Sequence, residues 1–265
     1  MNKIKITVCG AAGRMGNAIL RLAATGDQFV ITGAVESSGH PSIGSPLVFA
    51  GTEAGEITGD FGTAAKKADV IIDFTAVMAT LDHLAVAEKL RKPIVIGTTG
   101  FKQAEIAEVR KASLKIPVVF TPNMSVGVNA LFNLVKEAAS AVPDYDVEIV
   151  ELHHNQKKDA PSGTAARLAK IIADTLKRNL EKVGIYGRQG IVGARKKEEI
   201  GILAVRGGDI VGEHTVYFVG PGERIELTHR LQSRDALAAG ALVAAKWLAK
   251  QKPGLYDMQD VLNLK

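Results

Sequence analysis

The sequence predicts an α/β protein in two parts: a parallel sheet wrapped by helices, then an α+β domain built on a mixed sheet. Three observations carry that reading. Short β-branched runs alternate with helix-length segments up to about residue 125. The first of those runs opens into a glycine-rich turn and a helix. Beyond residue 126 the strands alternate polar with apolar and follow one another through short glycine turns. A length of 265 residues suits one large domain or two modest ones, and 46% apolar with 23% charged residues is ordinary for a folded chain.

Lys3–Val8 reads as a strand and Gly10-Ala11-Ala12-Gly13-Arg14-Met15-Gly16 as a sharp turn. From Asn17 a helix places Ile19, Leu22 and Ala23 on one face, and Phe29–Val35 forms a second strand ending at Glu36. Strand, glycine turn, helix, strand and acid is the order of a mononucleotide-binding unit, the opening of a Rossmann-like sheet. A pyrophosphate must approach backbone N–H groups at a helix start, which glycine permits, and the Glu36 carboxylate suits the two hydroxyls of a ribose. The glycines stand at 10, 13 and 16, a GxxGxxG spacing instead of GxGxxG, so a tight turn without a ligand is the competing reading. Residues 40–65 read as a loop with one minor strand and no assigned role.

Further strands are expected at Ala68–Phe74, Lys92–Gly97 and Ile116–Phe120, with helices at Met78–Leu90 and Ala104–Ala112. Ligands of such sheets sit beyond the carboxyl ends of the strands. Phe74-Thr75, Gly97-Thr98-Thr99 and Pro122-Asn123-Met124 would lie on that rim as cofactor or substrate contacts; the plainer reading is of helix caps and turns. This dinucleotide-binding domain is expected to span 1–125.

A helix from Val126 toward Pro143 opens the second domain, 126–233. Tyr145–His153 alternates at period two, a strand with one wet face, and delivers His153-His154-Asn155-Gln156-Lys157-Lys158-Asp159-Ala160-Pro161-Ser162-Gly163-Thr164. Thr164–Leu176 is an amphipathic helix with Ser162 as its N-cap. Ile202–Arg206, Val211–Val219 and Glu223–Arg230 read as strands, the last two joined by a Gly220-Pro221-Gly222 hairpin turn. The final segment, 234–265, carries a helix at Ala236–Ala249 that returns to the nucleotide-binding domain, and a small terminal element at Tyr256–Leu262.

A histidine near pKa 6.5 can hand over a proton at neutral pH, and a lysine beside it neutralises an anion. Ser162-Gly163-Thr164 at a helix start offers N–H groups and a hydroxyl to a carboxylate, and Arg206, Arg230 and Arg234 suit bidentate closure. The expected ligand is a small polyanion. No metal is expected: adjacent histidines face opposite sides of a strand, Lys157 and Lys158 repel a cation, and the single cysteine, Cys9, excludes a cysteine-based site. The bland alternative leaves both histidines solvated at the strand end. A net charge of +5 with 5% aromatic residues disfavours nucleic acid. No run of about 18 apolar residues calls for a membrane. The N-terminus shows no secretory pattern, and with one cysteine this points to the cytoplasm.

Taken together, these motifs resemble the 4-hydroxy-tetrahydrodipicolinate (dihydrodipicolinate) reductases of lysine and diaminopimelate biosynthesis, over essentially the whole chain. The resemblance rests on Gly10–Gly16, Asp73-Phe74-Thr75, Gly97-Thr98-Thr99-Gly100, Pro122-Asn123-Met124-Ser125 and, most specifically, Glu151–Thr164. It implies NADH or NADPH along Gly10–Gly16, with the ribose at Glu36 and the nicotinamide near Gly97, Thr98 and Thr99. A cyclic dicarboxylate would be held by His154, Lys157, Gly163, Thr164 and Arg234, with His153 as proton donor and Lys157 assisting. Hydride would go to C4 of the dehydrated ring, giving tetrahydrodipicolinate. The family further implies a homotetramer joined through the sheets of the second domain, and domain closure with hinges near Ser125 and Ser233.

Two departures bear on this. Many relatives carry Glu-Arg where this chain has Glu36-Ser37, and that arginine meets the 2′-phosphate of NADPH; its loss points to NADH preference or dual use, with Arg14 left as a phosphate partner. Gln232-Ser233-Arg234 stands where Ser-Ser-Arg is usual, with the arginine kept. Two alternatives stay open at this level: another two-domain NAD(P)-dependent amino-acid dehydrogenase, and a nucleotide-sensing protein of the same fold without catalysis.

Overall fold

A computed structural model describes residues 3–49 and 51–264 of the chain. It divides into two compact units, residues 1–126 with 234–265, and residues 127–233.

The first unit runs β1 (Ile4–Cys9), α1 (Arg14–Thr25), β2 (Phe29–Val35), β3 (Pro46–Phe49), β4 (Thr52–Thr58), α2 (Phe61–Lys67), β5 (Val70–Asp73), α3 (Val77–Leu90), β6 (Ile94–Ile96), α4 (Gln103–Ser113) and β7 (Pro117–Phe120). The second holds α5 (Val126–Ala141), β8 (Asp146–His153), α6 (Gly163–Thr175), α7 (Leu180–Val183), β9 (Gly184–Ile185), β10 (Ile200–Arg206), β11 (Gly212–Gly220) and β12 (Glu223–Leu231). The chain then rejoins the first unit as α8 (Asp235–Leu248), β13 (Gly254–Tyr256) and α9 (Met258–Val261).

The first sheet has eight strands in the order β13-β7-β6-β5-β1-β2-β4-β3, all parallel except β3, which runs antiparallel to β4. Side chains alternate across a strand, so the continuous apolar runs fill two cores. Val70, Ile72, Val95 and Val119 face the core shared with α1 and α8; Ile71, Ile94, Ile96 and Val118 face the one shared with α2, α3 and α4. This is a Rossmann-like sheet covered on both sides. At Gly33 a Cβ would stand 2.6 Å from that of Ala64, so glycine lets α2 lie close on β2. Gly240 plays the same part for α8, where a Cβ would fall 1.8 Å from the Met124 carbonyl oxygen.

Residues 40–65 depart from the loop expected of them: they hold β3, β4 and the start of α2. Asp60 caps α2 by accepting the Thr63 amide at 2.9 Å, and only two residue pairs tie β4 to β2. Glycines at 44, 51 and 55, all with positive φ, hid these strands from a propensity reading. The strand β13 was also missed, because three residues beside β7 show no periodicity of their own.

The second unit is a five-stranded mixed sheet, β12-β11-β8-β10-β9, with β8, β10 and β9 parallel and the β11–β12 hairpin antiparallel. Gly222, at φ 78°, turns that hairpin. One face packs under α5 and α6 through Val147, Ile149, Ile200, Ile202, Val216 and Phe218. No helix of this unit covers the other, which carries Val150, Leu152, Leu203, Val205, Tyr217 and Val219. On it Arg188 and Arg195 both bond Glu148, at 2.9 and 3.1 Å.

Candidate active site

In the first unit the predicted cofactor residues gather at the carboxyl edge of the sheet. Gly10 leaves β1 at φ 79°, and a Cβ there would meet the Phe74 carbonyl oxygen at 2.4 Å. A Cβ on Gly16 would lie 2.0 Å from the Gly10 oxygen, so the loop closes only because both lack side chains. Gly13 caps α1 without a side-chain hydrogen bond, and Ala12, Gly13 and Arg14 are exposed. That is the form of a phosphate cradle at a helix start. Glu36 ends β2 with its carboxylate on the loop, accepting the Ala12 amide at 2.9 Å. Phe74 and Thr75 follow β5, Gly97, Thr98 and Thr99 follow β6, and Pro122, Asn123 and Met124 follow β7. The far end of the Phe74 ring lies against Gly97, where a Cβ would be 2.2 Å away.

Two of these side chains turn inward. Met124, 2% exposed, belongs to the core against α8, and Thr98, 6% exposed, accepts the Thr75 amide at 2.9 Å. Beneath the rim lies Asp73, fully buried. One of its oxygens accepts the hydroxyls of Thr75, Thr80 and Thr98 at 2.7, 2.8 and 3.1 Å, and the other meets His83 Nδ1 at 2.6 Å. The His83 ring rests on Phe61, centroids 4.2 Å apart. Ligand-type atoms of Cys9, Asp73 and His83 fall within 4.8 Å of one another, a grouping the single-cysteine argument did not anticipate. Burial, then Asp73 and Glu36, push the Cys9 thiol well above its ordinary range, so it stays protonated. The cluster is a hydrogen-bonded brace that ties β5, α3 and the β6 turn together. Its sequence signal was a charged residue closing a wholly buried strand.

In the second unit β8 alternates between a buried and a partly exposed face, as expected. Val147, Ile149, Glu151 and His153 share the buried face, while Val150 and Leu152 fall on the other. Glu151 has no exposure and is surrounded by donors. Arg206 grips it bidentately at 2.8 and 2.9 Å, the Ser162 amide donates at 3.0 Å, and His153 Nδ1 makes a very short contact. Burial works against its charge, but Arg206, His153 and the Ser162 amide outweigh this and hold the carboxyl below the usual range. Burial pulls His153 downward; Glu151 resists, and Lys157 and Arg206 add to the fall. An ionised carboxylate can only accept, so the Nδ1 hydrogen belongs to His153 and Nε2 is left without it. A Cβ on Gly212 would come 3.0 Å from Nε2. His214 stacks edge-on to His153 at 5.2 Å and is pushed down to about 3 by burial, with His153 contributing.

Ser162 is the N-cap of α6, as expected: its hydroxyl accepts the Ala165 amide at 3.1 Å and shares a 2.9 Å hydrogen bond with His214 Nε2. One expectation is corrected: Arg206, expected to close a ligand pocket, is committed to Glu151, while the exposed Arg230 pairs with Glu213 at 3.0 Å. A buried acid takes the nearest guanidinium because an uncompensated interior charge costs several kcal/mol. The remaining predicted groups sit around the loop after β8. His154 is half-buried, Lys157 reaches Asp159 at 2.8 Å, Gly163 is exposed with open space at its Cα, and Thr164 lies in the first turn of α6. Arg234 is the N-cap residue of α8, in the first unit.

A parallel sheet with a glycine cradle at its carboxyl edge, and a mixed-sheet unit presenting a carboxylate-held histidine, define a two-domain nicotinamide-dependent oxidoreductase. The family models described as "Dihydrodipicolinate reductase, N-terminus" and "Dihydrodipicolinate reductase, C-terminus" match residues 4–124 and 127–262. The chain is 52% identical over 269 residues to the 4-hydroxy-tetrahydrodipicolinate reductase of Trichlorobacter lovleyi, spanning 99% of this chain and 100% of that protein. To the enzyme of the same name from Geobacter sulfurreducens it is 51% identical over 265 residues, spanning 98% and 99%. The solved structure "Dipicolinate bound Dihydrodipicolinate reductase from Paenisporosarcina sp. TG-14" shares the fold, with a TM-score of 0.77 at 24% identity over 98% of this chain and 99% of that one. The chain therefore belongs to the dihydrodipicolinate reductase family, NAD(P)H-dependent oxidoreductases of lysine and diaminopimelate biosynthesis. Among the described residues no helix is long and apolar enough to cross a membrane.

Proposed function

We propose that the chain reduces 4-hydroxy-tetrahydrodipicolinate to tetrahydrodipicolinate, with His153 as proton donor and Lys157 assisting. The observation that carries this is His153 seated on a buried, ionised Glu151 at the head of a loop bearing Lys157 and the start of α6. His154, Lys157, Gly163 and Thr164 bind the dicarboxylate, a helix start and a cation being the natural partners of carboxylates, and Arg234 supplies a second cation.

The residues present fit a dinucleotide: the cradle of Gly10, Gly13 and Gly16 has no side chain in the way, and α1 starts without a side-chain cap. Ala11, Ala12, Arg14 and Met15 complete the loop, and Phe74, Thr75, Gly97, Thr98, Thr99, Pro122, Asn123 and Met124 form the rim beyond it. The reduced nicotinamide, when bound, supplies a hydride to C4 of the ring left after the hydroxyl departs as water. Two electrons arrive with that hydride, His153 provides the one proton that completes the product, and solvent restores it. Lys157 offsets the negative charge of the bound ring.

Glu36 favours two free ribose hydroxyls, and Ser37 offers no cation to a 2′-phosphate, which supports NADH preference or dual use. The uncovered face of the second sheet, with Val205 44% and Val219 38% exposed, supports assembly through that face as a homotetramer. One free, buried cysteine suits a cytoplasmic setting.

The test is oxidation of NADH and of NADPH, measured separately, with ring substrate made in place from pyruvate and aspartate semialdehyde by its synthase. Synthase-dependent oxidation is expected; its absence in folded, nucleotide-binding protein overturns the reading.

A further inference from the structure

We propose that Glu151 is a positioning residue for the proton transfer: it locks His153 with Nδ1 as the inward donor and Nε2 toward the bare backbone of Gly212, and Arg206 sets how strongly it pulls. The proposal rests on the reading of His153 as proton donor. Its geometry is independent of that reading.

Glu151 lies on the covered face of β8, two residues before His153, where the side-chain period brings both to the same side. Its two oxygens divide the work. One takes His153 Nδ1 and an Arg206 nitrogen at 2.8 Å; the other takes the second Arg206 nitrogen at 2.9 Å and the Ser162 amide at 3.0 Å. A carboxylate so engaged cannot rotate away, and it accepts hydrogens only. The imidazole is therefore fixed in ring orientation and in tautomer, leaving Nε2 to exchange protons with a ligand. Gly212 on β11 lets that nitrogen meet bare backbone, since any side chain there would begin 3.0 Å from it.

The same acid governs charge. To donate, His153 must first carry both protons. Glu151 on β8 favours that cation, while burial, Lys157 on the following loop and Arg206 on β10 oppose it. His214 on β11, edge-on to the ring, stays neutral. Arg206 acts twice, repelling the imidazolium directly and weakening the carboxylate that stabilises it. A merely structural Glu151, holding the Ser162 turn in place, predicts none of this.

Two substitutions with opposite signs separate the readings. Glu151→Gln keeps the size and removes the charge. Its kcat is expected to fall about 100-fold, a typical share for a proton-transfer group, with both KM values within about threefold. The basic limb of its kcat–pH profile moves to lower pH. Arg206→Gln leaves Glu151 in place, and its basic limb moves to higher pH. In the wild-type enzyme, ¹⁵N-histidine NMR reads His153 directly; an Nδ1-protonated ring is expected, and Glu151→Gln changes that signature. Gly212→Ala lowers kcat about tenfold with nucleotide KM unchanged. A wild-type ring protonated at Nε2 alone overturns the proposal. So does a basic limb that neither substitution moves, or a Glu151→Gln enzyme within about threefold of wild type in kcat. Where Glu151→Gln does not fold, the NMR signature and the Arg206→Gln profile decide by the same criteria. Absence of synthase-dependent turnover in the unsubstituted enzyme is a different result, read before any variant is made, and it overturns the functional reading itself.

Discussion

The protein contains the same chemical pair twice. Asp73 holds His83 at the end of β5, and Glu151 holds His153 at the end of β8; both carboxylates are fully buried. The surroundings differ in kind. Three neutral threonine hydroxyls gather on Asp73, and its histidine lies under the Phe61 ring. A guanidinium and a backbone amide gather on Glu151, and its histidine turns its second nitrogen to a glycine. The first arrangement ties three elements together beneath the cofactor rim. In the second, the histidine is held by the acid on one side and meets the bare backbone of Gly212 on the other. The two carboxylate–histidine pairs thus differ in what faces the far side of the ring, an aromatic ring for His83 and a glycine for His153.

The widest gap between the pairs is expected on removing the rings. His153→Ala lowers kcat by about 10³-fold, a proton-transfer loss, with nucleotide affinity retained by fluorescence titration. His83→Ala leaves kcat within about threefold. Equal losses of kcat in the two variants would break the comparison.

Removing the acid of the first pair acts on stability. Asp73→Ala strands three buried hydroxyls and a ring nitrogen, and is expected to cost about 3 kcal/mol in urea unfolding while raising the KM for the nucleotide.

Acid exposes the second unit next. The folded pKa of His214, about 3, lies below an unfolded value of about 6.5, so between those values the native state binds fewer protons than the unfolded chain. Its contribution is complete above pH 6.5 and is lost toward pH 3, about 2 kcal/mol of it between pH 6.5 and 5. His153 and His229, both lowered by burial, act with the same sign. Urea midpoints across that range measure the slope, and His214→Gln flattens it by one proton.

The smallest effect belongs to the rim. Ser37→Arg is expected to raise kcat/KM with NADPH about tenfold relative to NADH, the size of one charge-assisted phosphate contact. No change in the ratio would show that Glu36 and Ser37 do not set nucleotide choice.

Local pattern by itself determined much of this protein. The GxxGxxG turn, the buried runs at Val70–Asp73, Ile94–Ile96 and Pro117–Phe120, and the Glu151–Thr164 string are each contiguous. Period two and period 3.6 therefore sufficed to predict a parallel-sheet domain followed by a mixed-sheet domain. What escaped depends on pairing between distant residues. β3, β4 and β13 exist because neighbouring strands complete their hydrogen bonds, not because their own residues insist on extension. Arg206 stands 55 residues from Glu151 and His214 52 from Ser162, so composition alone assigned that arginine to a ligand. Only the folded sheet, by burying Glu151 away from water, decided that the guanidinium belongs to the acid and that His153 meets it through Nδ1.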